Sequence, residues 1–125
     1  MNLLPYFQSI INQDTSAVVI CNLTHEIIYM NPAAVSRYEK WGGASLIGKS
    51  LLPCHNSQSA TKINKVLSWF QESPSHNIIY TFHNEKENKD VYMVALRDSE
   101  ETLIGYYEKH EYRNPEQDEL YHFHE

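Results

Sequence analysis

The chain has 125 residues, of which 42% are apolar and 21% charged, and its 16 acidic against 10 basic side chains leave a formal net charge of −6. That length and apolar share suit one domain with a real core, and they exclude wholesale disorder. The acidic balance repels phosphate backbones and speaks against nucleic acid as a partner.

In chain order, Leu3, Leu4, Phe7, Ile10 and Ile11 share one helical stripe, which predicts an amphipathic helix over residues 1–14 ended by Asp14-Thr15-Ser16. Its apolar side packs either on its own domain or on a partner copy. Residues 17–21 and 26–30 are β-rich runs around Asn22-Leu23-Thr24-His25, a hairpin pattern. Asn31-Pro32 follows, an N-cap residue before a proline at the first helical position, so a helix starts there and runs to Gly42-Gly43. Residues 44–52 read as short helical turns broken by Gly48 and Pro53. Residues 57–72 form the strongest helix, with Ile63, Val66, Leu67 and Phe70 on one face. Three strands complete the body at 77–83, 90–97 and 102–112, joined by the polar turns 84–89 and 98–101. The expected fold is α+β: a five-stranded antiparallel sheet, short helices on one face, and an extra N-terminal helix. The space between sheet and helices is a natural small-molecule pocket.

Three local patterns add to this order. Ile27-Ile28-Tyr29-Met30-Asn31-Pro32-Ala33-Ala34 resembles the second strand of a PAS domain running into its first core helix. Leu46-Ile47-Gly48-Lys49-Ser50-Leu51 is similar to the PAS segment in which an Ile-Gly pair leads into a short helix. Leu96-Arg97-Asp98 with Leu103-Ile104-Gly105 is similar to the closing PAS hairpin. The resemblance spans residues 17–113 and divides the chain into an N-terminal helix (1–14), a PAS-like domain (15–113) and an acidic tail (114–125). It implies a non-catalytic sensory module that binds a small molecule or cofactor and signals to a protein partner, commonly as a homodimer. Two features depart from the family. The last turn is Ser99-Glu100-Glu101-Thr102 where a glycine is common, and the last strand ends Glu108-Lys109-His110-Glu111-Tyr112-Arg113 in place of Asp-Ile-Thr.

The resemblance puts the pocket wall at Tyr38, Leu51, Ile63, Val66, Leu67 and Phe70, with Tyr80 and Met93 from the later strands, and Cys54 and His55 beside it. A neutral imidazole at His55 can ligate haem iron or another metal. Against that, the family's haem-binding sensors carry the ligand on the longer helix, and 61–64 holds no histidine here. The plainer role of His55 is to cap a helix end. Cys54 would be a nucleophile or redox sensor only with a lowered pKa, and otherwise is a small buried hydrophobe. The Asn-Cys-Arg motif of flavin photosensors is missing. His122 and His124 make a weak metal pair in a frayed tail. Tyr29, Tyr38, Tyr80, Tyr92, Tyr106 and Tyr107 supply either pocket hydroxyls or ordinary core rings. The longest apolar run, 17–21, falls far short of the roughly 20 residues that span a bilayer. The N-terminus lacks a secretory signal pattern. Cys21 and Cys54 form no CxxC pair, which fits a reduced, cytoplasmic compartment. A ligand-free dimerisation module is the alternative function; a Cys54-based enzyme is the least supported reading.

Overall fold

The computed structural model describes residues 1–52 and 57–121, with Ser57 described by its backbone only. Helix α1 (Leu4–Gln13) precedes strands β1 (Val19–Asn22) and β2 (Ile27–Met30). A short α2 (Pro32–Arg37) and two 3-10 turns (Glu39–Trp41 and Gly43–Leu46) follow. Helix α3 (Ser57–Glu72) leads into β3 (Ile78–Asn84), β4 (Lys89–Arg97) and β5 (Leu103–Tyr112).

The five strands form one antiparallel sheet in the order β2-β1-β5-β4-β3. Thus the first hairpin joins the three-stranded meander through β1 and β5, the first and last strands meeting at the centre. Gly105 makes that join possible: a Cβ there would stand 2.3 Å from the Cys21 carbonyl oxygen, inside contact distance.

Asn31 begins α2 as its sequence context requires, accepting a hydrogen bond from the Ala34 amide while Pro32 occupies the first turn. The helix is shorter than the sequence pattern predicts. It closes at Arg37, and the chain tightens into 3-10 turns through Gly42 at φ 126° and Gly43 at φ 52°, conformations that favour glycine. Helix α3 has its predicted bounds, and its Ile63, Val66, Leu67 and Phe70 are buried against the sheet. Cys21, Ile27, Met30, Met93 and Tyr106 belong to the same core.

Arg97, on β4, closes the far end of the helix layer. Its guanidinium donates to the carbonyls of Phe70, Ser73, His76 and Glu101 and to Asn77 Oδ1. One side chain therefore satisfies the Phe70 carbonyl, one of those that the end of α3 leaves open, together with carbonyls of the loop that follows the helix. Helix α1 has no comparable anchor in the core. No residue of it is buried, and Leu4, Phe7 and Ile10 are all more than half exposed. Its C-terminal end is tied down by Asn31, whose Nδ2 donates to the Ile11 and Ser16 carbonyls.

Candidate ligand-binding site

Between the inner face of the sheet and the α2 region lies a cavity of about 500 Å³. Alternation along the strands places its floor: Val19 and Cys21 on β1, Ile27 and Met30 on β2, and Tyr106 on β5 point to one side. Tyr38, Trp41, Leu46 and Leu51 form the roof. The volume suits a small organic molecule, and the lining is apolar with a few convergent polar groups.

The polar groups fall at one end, on β5. Glu108 and His110 follow Tyr106 at every second residue and so share its inward side. The His110 imidazole is held neutral: burial, then the nearby charges of Lys89 and Arg37, push its pKa down to about 4. Its Nδ1 is buried and has no hydrogen-bond partner among the described residues. Burial pushes the Cys21 thiol up to about 11, so at neutral pH it is no nucleophile. The Tyr106 and Tyr38 phenols are raised chiefly by burial, and the charge of Glu108 adds to the rise at Cys21, Tyr38 and Tyr106 alike. The Glu108 carboxylate thus sits in the field of the cavity's polar wall.

A buried relay runs from the floor to α3. The Tyr106 hydroxyl meets His25 Nδ1 at 2.8 Å, and His25 Nε2 meets Asn64 Oδ1 at 2.9 Å. His25 reaches this position from a φ of 66° in the β1–β2 turn. Both its ring nitrogens are engaged, which leaves neither for a metal. Above the polar end, Arg37 grips Glu87 through two bonds of 2.8 Å and ties α2 to the β3–β4 turn. Glu87 also lies 3.3 Å from Lys89 Nζ, a lysine only 2% exposed.

Of the residues expected in the wall, Tyr38 and Leu51 line the cavity. Ile63, Val66, Leu67, Phe70 and Met93 are buried in the core and are not in this lining, because α3 packs on the β4 side of the sheet. Tyr80 is on the outer face of the edge strand, 56% exposed, donating to Asp90 Oδ1 and packed on Tyr92. Cys54 and His55, and with them the haem and metal reading of His55, lie outside the described residues, as do His122 and His124. Among the described residues no three His, Cys, Asp or Glu side chains gather as metal ligands. Glu108, His110 and Trp41 escaped the sequence reading. A glutamate and a histidine at inward parity on a central strand were the available signal, in the same stretch that departs from Asp-Ile-Thr.

No protein-family model matches the sequence, and no curated protein matches it significantly. Solved structures do match. The PAS domain of a protein from Colwellia psychrerythraea is 13% identical, with a TM-score of 0.65 over 90% of this chain and 98% of its own. The chain has a PAS-like fold. A C-terminal domain from Streptococcus mutans aligns to this PAS-like domain at 21% identity and a TM-score of 0.63, covering 86% of this chain and 83% of that one. A sensory box sensor histidine kinase from Vibrio cholerae aligns at 13% identity and a TM-score of 0.59, covering 86% and 89%. At these identities the likeness concerns the PAS-like architecture, and the cavity's lining is this chain's own. In the described residues no helix is long and apolar enough to cross a membrane.

Proposed function

We propose that this PAS-like domain is a non-catalytic sensory module that holds a small molecule in the β1–β2–β5 cavity and passes its occupancy to a protein partner. The observation that carries the reading is the cavity itself: about 500 Å³, mostly apolar, with polar groups collected at one end. The sensor histidine kinase among the structural neighbours supports a signalling role. Burial raises the pKa of Cys21, the cysteine among the described residues, to about 11, which speaks against thiolate chemistry at that position. Ligand contact with Tyr106 would bear on the His25–Asn64 relay, and contact with Tyr38 on the neighbouring Arg37–Glu87 pair, so occupancy has two routes to the surface. The exposed stripe of α1 favours a second copy of the chain as one partner. A buried free thiol at Cys21 is compatible with a reducing cytoplasm.

Titration with the neutral apolar probe N-phenyl-1-naphthylamine, whose fluorescence rises on leaving water, tests the cavity. Val19→Phe fills it from the floor. The expected result is saturable binding to the native chain and at least a tenfold loss in the variant, with a cooperative melt retained. Equal binding by both proteins, or none by the native chain, overturns the reading.

A further inference from the structure

The titratable side chains that line the cavity register what charge its wall tolerates. Cys21, Tyr38 and Tyr106 are acids, and burial raises each of them, with the charge of Glu108 adding to the rise. Each resists becoming an anion in this place. His110 is a base on the same wall, and burial lowers it first, then Lys89 and Arg37, against Glu87 and Asp14 acting the other way. It resists becoming a cation. Burial is the leading cause in all four, and they stand on β1, at the end of α2 and on β5. The penalty therefore belongs to the space they share, and it falls on both signs of charge.

The partners that would offset such a penalty are already engaged. Glu87 lies 2.8 Å from Arg37 and 3.3 Å from Lys89. The rings of Tyr38 and Trp41 face cations of the chain itself, the Arg37 guanidinium at 5.9 Å and Lys40 Nζ at 5.4 Å. Glu108 has an interaction of its own. The Tyr106 hydroxyl is bonded to His25. The remaining lining residues are apolar. A charged group brought in here would lose its water with no partner waiting for it, whereas an uncharged one gains apolar contact.

We propose that the cavity selects uncharged ligands: it takes a small, largely apolar organic molecule and rejects the same body when it carries an ammonium or a carboxylate. This rests on the reading of the cavity as a ligand site and narrows it to one chemical class.

Three probes of one shape test it on the full chain at pH 7: 2-naphthylmethanol, 2-naphthylmethylamine and 2-naphthoic acid, each titrated as a competitor of bound N-phenyl-1-naphthylamine. The alcohol is expected to displace the dye, and both charged probes to be weaker competitors by about tenfold or more. An amine or an acid that competes within tenfold of the alcohol overturns the inference, as does an alcohol that fails to displace the dye. In either case saturable dye binding to the native chain, lost in Val19→Phe, leaves the cavity reading standing. If the dye itself does not bind, both fail. The comparison of probes needs only the native chain, so it stands whether or not a variant folds.

Discussion

Asn31 and His110 show how much one side chain decides in this molecule. Asn31 is fully buried and satisfies backbone groups on three segments. Its Oδ1 accepts from the amides of Val18 and Ala34, and its Nδ2 donates to the carbonyls of Ile11 and Ser16. Replacing it with alanine removes a helix cap and leaves buried donors and acceptors open. Asn31→Ala is expected to lower unfolding free energy by about 2–4 kcal/mol in a denaturant titration; a loss below about 0.5 kcal/mol would contradict this role. His110 sets a pH dependence. Its ordinary value is 6.5, and burial with the charges of Lys89 and Arg37 lowers it to about 4, against Glu87 and Asp14 acting the other way. Between those values the unfolded chain binds the proton and the folded one does not, so stability is present above about 6.5 and declines as pH falls toward 4. Glu87 and Asp90, both held near 2 by ionic hydrogen bonds, lose their contribution mainly below about 4.5. Melting curves between pH 7 and 5 test this against His110→Phe: the native chain should lose stability across that range, and the variant should flatten the slope.

At the scale of elements, α1 stands apart. None of its residues is buried, Leu4, Phe7 and Ile10 remain exposed, and Asn31 holds the C-terminal end. An apolar stripe of this kind on a charged chain is stable in water only at a cost, which a partner removes. The sequence allowed packing on the domain or on another copy, and a second copy is the cover proposed for the exposed stripe. Phe7→Glu with Ile10→Lys is expected to shift the chain from dimer to monomer in sedimentation velocity, with little change in melting temperature. A native chain that stays monomeric at high concentration would count against a second copy on this helix. The β1–β5 pairing is the other element-level decision. It brings residues some 85 positions apart into register, Ile20 opposite Tyr107 and Cys21 opposite Tyr106, and it depends on the bare backbone at Gly105.

For the whole molecule, the helix layer divides the inner face of the sheet into two unequal parts. Over β4, α3 presses Phe70 and its neighbours into close-packed core. Over β1, β2 and the inward half of β5, the cover is a six-residue helix and two 3-10 turns, too slight to fill the space, and the cavity is what remains. The Arg37–Glu87 pair braces this thin cover against the β3–β4 turn. The proposed sensory role belongs to this asymmetry: the dense half holds the fold, and the open half is where a molecule would be held.

The order of elements, the α3 stripe, the Asn31 cap and the three strand-and-turn patterns of the PAS-like resemblance were legible in the sequence, because each depends on neighbours within a few residues. Which residues line the cavity was not. Ile63, Val66, Leu67 and Phe70 read as pocket wall because apolar periodicity reports burial without telling whether a helix rests on other atoms or on empty space. Tyr80 read as a pocket residue because a strand's alternation has two faces and its sequence does not name the inner one. Glu108 and His110 took their meaning only when β5 was set at the centre of the sheet beneath Tyr38 and Trp41. That placement comes from pairing across the whole length of the chain, where local pattern has no say.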